Sequence, residues 1–318
     1  MKVKFKLSLR ITTIMSDFKL KGHLAMLGAN TMWGLMSPVT KLVLTTSAVT
    51  PLLMVDFRIA GAAALFWLTS LFCPREHVPP RDLLLLAGAA MLGVLFNQGC
   101  FIFGVGLTSP GEASIITTTM PMWVMVLAYV VLHEPITLKK AGGIALGACG
   151  ALILVFGGLN TGMKGDNPAL GDFIVLCAQL SYALYLTLYR NFIRKYSLVT
   201  LMKWMFLFAA CGTIPAAMPQ MLRTDWSSLT SLHWAGIAYV VVFATYLAYI
   251  CIMIGQKNLR PTIVGMYNYV QPIVASLIGV CLGLDSFNVL KGFAVVLIFS
   301  GVYLVTISKA APATTTQK

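Results

Sequence analysis

The sequence predicts an all-α integral membrane protein with ten transmembrane helices, arranged as two inverted repeats of five helices. Of its 318 residues, 58% are hydrophobic and only 10% are charged, whereas an ordinary soluble domain has about 25% charged residues. Apolar runs of about 20 residues, long enough to cross a bilayer as helices, follow one another with short polar breaks. The chain also aligns with itself at a nearly constant shift, which indicates an internal repeat.

The apolar runs between polar breaks define the ten expected spans. They cover residues 22–44, 50–72, 82–105, 110–132, 138–157, 169–190, 197–219, 233–256, 261–282 and 288–307. Because most connections are short, we expect helices adjacent in sequence to pack as antiparallel neighbours. No segment between the spans is large enough for a soluble domain.

The first five spans form the first repeat, residues 22–157. The second span is apolar except for Asp56 and Arg58, and the fourth contains Pro121. The turn HEPITLKKAGG at 133–143 joins the fourth span to the Gly-rich fifth. Its position favours a helix-end anchoring or capping role for the glutamate over a catalytic one.

The last five spans form the second repeat, residues 169–307, after an extracytoplasmic linker at 158–168. The seventh span contains Lys203, which we expect to extend toward the cytoplasmic membrane surface. The ninth contains Pro272, at the position that Pro121 has in the first repeat.

Sliding the chain along itself reveals the repeat directly. At a shift of 149 residues, Gly22, Ala29, Asn30, Trp33 and Lys41 align with Gly171, Ala178, Gln179, Tyr182 and Arg190. At a shift of 151 residues, Gly104, Pro110, Pro121, Glu134, Lys140 and Gly150 align with Gly255, Pro261, Pro272, Asp285, Lys291 and Gly301. Each half has an odd number of spans, so the second half enters the membrane from the opposite side. Such an inverted repeat is typical of transporters that work by alternating access.

The basic residues predict the orientation of the helices. In the ten-span topology one side collects 17 of the 23 lysines and arginines and the other only four, with two inside spans. By the positive-inside rule, the basic lead at 1–21 and the polar tail at 308–318 are both cytoplasmic. Met15 is an alternative start, and the charge asymmetry survives its use. This distribution explains the net charge of +13 as a topology signal, so we expect no nucleic-acid partner.

Two segments carry a family resemblance. PMWVMVLAYVVLHEPITLKKAGGIALGACGALIL at 121–154 and QPIVASLIGVCLGLDSFNVLKGFAVVLIFSGVYLV at 271–305 share the order of proline, apolar run, acidic turn and Gly-rich helix. With Trp33-Gly34 and the ten spans, the chain resembles the EamA-type transporters of the drug/metabolite transporter superfamily over about residues 20–307. The resemblance implies export of amino acids, other small metabolites or drugs, while relatives of the family carry nucleotide sugars.

Several chemistries are not expected. His133-Glu134 resembles the start of the zinc motif HExxH, but Thr137 occupies the position of the second histidine. The histidines and cysteines show no ligand spacing, so we expect no metal and no cofactor. No phosphate-binding loop is present, which argues against ATP-driven transport by this chain alone. An enzyme would need a nucleophile, a metal or a carboxylate pair at membrane depth, and none is evident.

Polar side chains inside the spans are the candidates for a substrate cavity, because burying them in a bilayer is costly unless they pair or face a cavity. The candidates, besides Arg58, are Asn30, Trp33, Asn97, Gln98, Gln179, Tyr182, Tyr185, Tyr246, Tyr249, Tyr267, Asn268 and Gln271. Asn30 with Trp33, and Gln179 with Tyr182, are three positions apart and share a helix face. The alternative roles are hydrogen bonding between helices for the amides and interface anchoring for the aromatic residues.

Prolines within the spans predict kinks that a protein changing conformation can use. Pro38, Pro121 and Pro272 each remove a backbone hydrogen bond and free a carbonyl one turn earlier. Such kinks are also common in membrane helices without a gating role, so both interpretations stay open.

Arg58 is the charged residue with the clearest functional alternative. An unpaired cation at its expected depth is costly, so it binds either a carboxylate or phosphate of the substrate, or a membrane-interface or helix-end partner. No Asp or Glu is expected near the middle of a span, so a proton relay has no evident carrier. The protein is then a facilitator, or its coupling group is not recognisable.

Together these features predict a secondary transporter that exports a small metabolite, with an amino acid or similar compound as the leading substrate. Its expected partners are the substrate and the lipid bilayer, and its expected place is the cytoplasmic (inner) membrane. A nucleotide-sugar or organic-phosphate carrier is a second possibility, but only Arg58 and Lys203 offer cations within the spans. A non-transporting membrane receptor or scaffold is the alternative from another class.

Overall fold

The computed structural model describes residues 20–36, 39–40, 43, 49–108, 116–157, 167–281 and 289–308. Within these ranges all regular secondary structure is helical, as the composition predicts. Most of the lead, Pro38, the linker at 158–166 and the tail at 309–318 lie outside the described residues.

The first repeat contains five of the helices in the described ranges. They are α1 (20–36), α2 (Pro51–Ser70), α3 (Pro80–Ala90, a π-helical turn at Met91–Phe96, and Asn97–Leu107), α4 (Met120–Leu132) and α5 (Leu138–Gly157).

The second repeat has the same order of elements. They are α6 (Pro168–Leu188), α7 (Leu198–Arg223), α8 (Ser231–Val241, a π-helical turn at Val242–Leu247, and Ala248–Asn258), α9 (Pro261–Met266, a 3₁₀ turn at Tyr267–Tyr269, and Val270–Cys281) and α10 (Val289–Thr306). A short helical turn at Arg190–Ile193 follows α6, and a 3₁₀ turn at Trp226–Ser228 precedes α8.

Local sequence explains where several helices begin. Thr50 caps α2 by accepting a hydrogen bond from the backbone N–H of Leu53 at 3.3 Å, and Pro51 occupies the first helical position. Asn167 caps α6 in the same way, followed by Pro168. Proline suits this position because its missing N–H would have no partner in the first turn of a helix.

The turn between α4 and α5 depends on a left-handed residue. His133 has φ 52°, and the backbone N–H of Glu134 donates to the carbonyl oxygen of Ala128 at 3.1 Å. The backbone N–H of His133 donates to the same carbonyl oxygen, so Ala128 accepts from both residues of the turn and closes the helix end. The turn therefore directs the Glu134 side chain back into the protein.

Six helices in the described ranges are long and apolar enough to cross a membrane: Pro51–Ser70, Pro80–Gly104, Ala169–Leu188, Leu198–Arg223, Ser231–Asn258 and Val289–Thr306. They include the second and seventh expected spans despite the charged residues within both. Met120–Leu132 is a shorter apolar helix. The helix ends differ from the expected bounds by a few residues, because capping residues rather than hydropathy decide where a helix begins.

The most extensive packing joins helices of different repeats: α5 with α10, α2 with α7, and α3 with α6. The expectation that sequence neighbours pack as the main antiparallel pairs is therefore wrong. Short connections bring helix ends together, but the small and aromatic residues that allow close packing lie on the faces turned toward the other repeat.

Glycines allow the closest of these approaches, between α5 and α10. A Cβ atom built on Gly143 would lie 2.7 Å from the carbonyl oxygen of Gly301. Ala294 and Gly301 are the counterparts of Gly143 and Gly150 in the second repeat. A Cβ on Gly150 would lie 2.6 Å from the carbonyl oxygen of Ala294. Without side chains at these positions the two backbones touch directly, which is a common way to pack membrane helices.

Irregular turns recur at the same place in both repeats. The π-helical turns at Met91–Phe96 and Val242–Leu247 are 151 residues apart, which is also the separation of the contacting pair Gln98 and Tyr249. A π-helical turn leaves backbone carbonyls free for other donors and occurs often at functional sites. The two turns therefore point to the region between α3 and α8.

Candidate functional site

Residues at equivalent positions of the two repeats touch each other at the polar centre of the protein. Gln98 on α3 donates a hydrogen bond from Nε2 to the Tyr249 hydroxyl on α8 at 2.7 Å, and the two are 151 positions apart. The hydroxyl of Tyr269 likewise donates to the backbone oxygen of Thr118, 151 positions away, at 3.1 Å. Residues related by a two-fold axis can touch only beside that axis, so these contacts mark it.

Trp33 joins this centre from α1. Its indole Nε1–H donates to the carbonyl oxygen of Ala244 at 2.9 Å, and its ring meets the edge of Tyr249 at a centroid distance of 5.9 Å. Ala244 lies in the π-helical turn of α8. In the other repeat, the hydroxyl of Ser181 on α6 donates to the carbonyl oxygen of Leu92, in the π-helical turn of α3, at 2.8 Å. Each turn thus receives a side-chain donor from the first helix of the other repeat.

Arg58 on α2 lies near the same centre. Its side chain is only 5% exposed, and its Nε donates to the Thr245 hydroxyl at 3.1 Å. Thr245 belongs to the π-helical turn of α8, four positions before Tyr249. Within the described residues no carboxylate pairs with Arg58. A strongly buried cation thus lies beside the contact between the repeats without a counter-ion in that part of the chain.

A second polar group lies between α6 and α8. Tyr185 donates to Gln256 Oε1 at 3.1 Å, and Gln256 Nε2 donates to the Tyr182 hydroxyl at 3.4 Å. The rings of the two tyrosines are 5.7 Å apart. Gln179 is buried one turn before Tyr182 on the same helix. Two tyrosines and two amides therefore line this face of α6 and α8.

A small cavity opens next to Gln256, and its volume of about 10 Å³ leaves room for roughly one water molecule. It is lined by Leu186, Arg190, Ile193, Gln256, Pro261 and Val264. The volume is below the 300–1,000 Å³, roughly, of typical small-molecule pockets. A metabolite would fit here only after the surrounding helices move apart.

Three of the predicted amides form a separate cluster between α1 and α9. Gln271 Nε2 donates to Asn30 Oδ1 at 3.0 Å and to Asn268 Oδ1 at 3.4 Å. Asn30 is fully buried and donates to the carbonyl oxygen of Met26 at 2.8 Å. The side chains of Asn30 and Trp33 therefore share a helix face but bind different helices, α9 and α8.

Other predicted residues make contacts between helices. Asn97 Nδ2 donates to the backbone oxygen of Ala178 on α6 at 3.0 Å. The hydroxyl of Tyr246 is 2.6 Å from that of Thr69 on α2, and the hydroxyl of Tyr267 is 2.7 Å from His23 Nδ1 on α1. In this conformation these three side chains hydrogen-bond between helices, which for Asn97 is the alternative role that the sequence left open.

Lys203 is also remote from the polar centre. Its Nζ lies 5.1 Å from the ring centroid of Trp67 and 5.9 Å from that of Trp204. Stacking on aromatic rings stabilises a lysine cation without a carboxylate. Within the described residues no group of three His, Cys, Asp or Glu is placed to hold a metal ion.

Of the three prolines predicted to kink helices, the two that the structure describes stand in the first turn of a helical segment. Pro121 is the second residue of α4, and Pro272 is the third residue of Val270–Cys281, just after the 3₁₀ turn of α9. The break in α9 follows from the missing N–H of Pro272, which cannot donate to the residue four positions earlier. Pro38 lies outside the described residues, and a gating role for the three stays a prediction.

Glu134 is the centre of a buried ion-pair network at one end of the helices. Its side chain is 1% exposed and accepts hydrogen bonds from Lys140 Nζ at 2.9 Å, Arg190 Nη1 at 3.2 Å and Thr262 Oγ1 at 3.3 Å. Arg190 follows α6 and Thr262 begins α9, so the carboxylate ties the first repeat to the second. The helix-end anchoring expected for Glu134 thus takes the form of a link between repeats.

Loops at the same end add further links. Lys195, between α6 and α7, forms a short ion pair with Asp82 at the start of α3. The hydrogen bond to Asp82 raises the pKa of Lys195 above its ordinary value. Glu76 accepts the backbone N–H of Ser197 at 3.0 Å. These contacts close that end of the protein between its two repeats.

Sequence reasoning did not identify Thr245 in the polar centre or Gln256 in the second polar group. Gln256 lies seven positions after Tyr249, two helical turns along the same face, which is a pattern that could have indicated it. Thr245 had no such signal, because its role depends on the π-helical turn that brings it opposite Arg58.

The comparisons with known proteins agree with this architecture. A model of the EamA-like transporter family matches residues 20–156 and matches again at 169–307. A crystal structure of another protein shares the fold with a TM-score of 0.72 at 17% identity, covering 91% of this chain and 97% of that chain.

Relatives with similar sequences are named as transporters. The chain is 24% identical over 253 residues to the uncharacterized transporter YetK of Bacillus subtilis, covering 79% of this chain and 77% of YetK. It is 26% identical over 264 residues to the uncharacterized inner membrane transporter YedA of Escherichia coli, covering 81% and 82%. Because the family model matches both repeats and most of the chain, this multi-pass membrane protein belongs to the EamA-like transporter family.

Proposed function

We propose that this protein is a secondary transporter that exports a small metabolite, an amino acid or similar compound, by alternating access. The observation that carries the proposal is the contact between Gln98 and Tyr249, with Trp33 beside it. Arg58, which has no counter-ion among the described residues, lies close by and bonds to Thr245. A polar site on the axis between two repeats is equally accessible from either side when the repeats move relative to each other.

Arg58 supports a substrate with a carboxylate group. Its guanidinium is buried without a counter-ion in the described part of the chain, and guanidinium groups bind planar carboxylates with two hydrogen bonds. The aromatic rings of Trp33 and Tyr249 offer a surface for an apolar or cationic side group. An amino acid combines these features.

The contacts that link the repeats at one end support alternating access. Glu134 joins Arg190 and Thr262 across the repeats, while the cavity beside Gln256 is too small for a metabolite. A transporter must break such links to open this end toward the substrate. Ion pairs and hydrogen bonds between the repeats can be exchanged without disrupting the apolar core of either repeat.

The other candidate functions have weaker support. A nucleotide-sugar or organic-phosphate carrier would need several cations at the site, but Lys203 stacks on Trp67 and Trp204 away from Arg58. A receptor or scaffold would not need a polar centre enclosed between two repeats. No observation in the described residues favours catalysis over transport.

The family and the charge distribution support a location for the protein. We place the protein in the cytoplasmic (inner) membrane, as the name of the relative YedA states for that protein. The basic asymmetry predicts both termini in the cytoplasm. A reporter fused after Lys318 is expected to be cytoplasmic, and an external reporter would contradict this orientation.

Flux measurements on proteoliposomes test the proposal. Purified protein is reconstituted, a mixture of the twenty amino acids is loaded inside, and efflux is followed by mass spectrometry. We expect one or a few amino acids to leave faster than from empty liposomes. Arg58→Gln should abolish this efflux, whereas Lys203→Gln, which removes a cation remote from the site, should preserve it.

Two results would count against the proposal. Equal efflux from protein-containing and empty liposomes would refute amino-acid export. If Arg58→Gln shows the same efflux as the native protein at equal reconstituted amounts, Arg58 does not bind the substrate. The argument for a substrate with a carboxylate would then fail.

A further inference from the structure

Asp56 is a carboxylate at the contact between α2 and α7. A transporter that only facilitates diffusion would not need it. The two helices run antiparallel: Thr50 meets Gln220 at one end, and Lys203 lies over Trp67 at the other, 5.1 Å from the ring centroid. Asp56 lies on α2 between these contacts, inside a helix long and apolar enough to cross the membrane. Asp56 is the sixth residue of α2, and its side chain is buried where α2 packs on the second repeat.

Asp56 and the residue opposite it both have polar atoms that are not hydrogen-bonded. The Asp56 side chain is 3% exposed, and its Oδ1 has no hydrogen-bond partner within the described residues. Thr213 on α7 is 4% exposed, and its hydroxyl also lacks a partner there. The Thr213 hydroxyl faces the Asp56 carboxyl, but the two do not form a hydrogen bond of normal geometry.

No cation faces Asp56 from the helices packed against it, so far as these are described. On α7 the charged residues Lys203 and Arg223 are each ten positions from Thr213, about 15 Å along the helix. Arg58, two positions further along α2, points to Thr245 instead.

The remaining helices packed on α2 contribute no permanent charge. These are the second half of α3, the first half of α8 and its π-helical turn. Titratable groups on these segments and within α7 are Cys100, Cys211, His233, Tyr239 and Tyr246. His233 is bonded to Thr230 at the exposed start of α8, and Tyr246 is bonded to Thr69. The hydroxyl of Tyr239 donates to the carbonyl oxygen of Met32 at 3.2 Å. His233 and the two tyrosines are therefore bonded to groups other than the Asp56 carboxyl.

A carboxylate in this position requires a positive partner, because burying an unpaired charge in a membrane protein is costly. Hard metal cations take about six oxygen ligands, whereas the free buried side-chain oxygens that the described residues offer here are Asp56 Oδ1 and Thr213 Oγ1. A proton needs one carboxylate oxygen, and the resulting O–H group can donate to the facing hydroxyl.

We propose that Asp56 is a proton-binding site that couples transport to the proton gradient. The inference rests on the proposed transport function. A proton from water on one side forms an O–H bond with a carboxylate oxygen of Asp56, and the same bond breaks when water from the other side reaches the group. α2 belongs to the first repeat and α7 to the second, so the relative movement of the repeats opens and closes the surroundings of this carboxyl.

A pH-jump experiment tests proton binding without a substrate. Proteoliposomes adsorbed on a solid-supported membrane are exposed to a sudden change in external pH, and the displaced charge is recorded. We expect a transient charge displacement from the native protein and its loss in Asp56→Asn, which has nearly the same shape. Asp225→Asn is the matched control, because Asp225 is a carboxylate in an exposed loop turn, and it should keep the signal.

A second measurement does not depend on the folding of a variant. Dicyclohexylcarbodiimide reacts with protonated carboxyl groups in apolar surroundings, and mass spectrometry of the native protein identifies the modified residue. We expect Asp56 to be modified in a pH-dependent manner, and more slowly as the pH rises.

The outcomes separate this inference from the proposed function. Equal charge displacement in the native protein and Asp56→Asn, no displacement in the native protein, or no modification of Asp56 would each overturn proton binding at this site. Proton binding at Asp56 together with a failure to transport any amino acid would leave the site intact and contradict only the substrate assignment.

Discussion

Replacing Gly143 with alanine is expected to destabilise the protein, whereas the same change at the adjacent Gly142 is not. A Cβ on Gly143 would lie 2.7 Å from the carbonyl oxygen of Gly301 and 2.8 Å from a methyl carbon of Val305, both on α10. A Cβ on Gly142 would meet nothing within 4 Å. The two changes are chemically identical and occur in consecutive residues of α5.

The difference between the two variants isolates the packing of α5 against α10. Alanine stabilises a helix interior relative to glycine by about 0.8–1.0 kcal/mol, and this gain applies equally at both positions. Forcing a methyl group into a filled contact costs about 1–3 kcal/mol, because the backbones must move apart. We therefore expect the free energy of unfolding of Gly143→Ala to be lower than that of Gly142→Ala by about 1–3 kcal/mol.

Reversible unfolding in mixed micelles measures this difference. The purified variants are titrated with sodium dodecyl sulfate, and unfolding is followed by tryptophan fluorescence at matched protein and lipid concentrations. Gly301→Ala is a reciprocal variant, since its Cβ would lie 2.4 Å from the carbonyl oxygen of Gly143. It should also be destabilised.

One result would refute this reasoning. If Gly142→Ala and Gly143→Ala unfold with the same free energy, the backbones of α5 and α10 do not touch at Gly143, and the main contact between the repeats is wrongly placed.

Three other perturbations have defined outcomes. Glu134→Gln leaves the fully buried Lys140 without its counter-ion, so we expect a loss of about 3–5 kcal/mol in the same unfolding assay, and a loss below 1 kcal/mol would contradict the buried ion pair. Gln98→Leu and Tyr249→Phe should show a coupling free energy of about 1 kcal/mol in a double-mutant cycle, whereas additive effects would mean that the hydrogen bond is absent. The ion pair of Lys195 raises its pKa above 10.5, so its contribution to stability is complete below that pH and is lost as the pH rises through the raised value. The stability difference between native protein and Lys195→Gln should therefore shrink above pH 10.5, and a difference that grows there would exclude the pair with Asp82.

The repeat could be recognised from the sequence because it depends on residues with restricted roles. One shift of 151 residues aligns Gly104 with Gly255 and Pro121 with Pro272. In the structure, Gln98 and Tyr249, which are related by the same shift, are bonded to each other. The π-helical turns could not be expected, because neither turn has a distinctive residue pattern and both depend on donors from another helix.

The cavity role of the candidate residues stays a prediction. Trp33 contacts Tyr249 and Arg58 bonds to Thr245 nearby, while Asn97 and Tyr246 bond to neighbouring helices. An amide inside a membrane helix must find a partner in either case, so residue type indicates that a contact exists without indicating whether the partner is a helix or a substrate.

Sequence alone determined that this chain forms membrane helices in two repeats, because a helix satisfies its backbone hydrogen bonds within one continuous apolar segment. Only the tertiary structure decided which polar groups have partners. Glu134 lies in a turn and is surrounded by cations, whereas Asp56 lies within a span and has none among the described residues. These opposite environments are made by helices far apart in the chain, and local sequence carries no record of what packs against a residue.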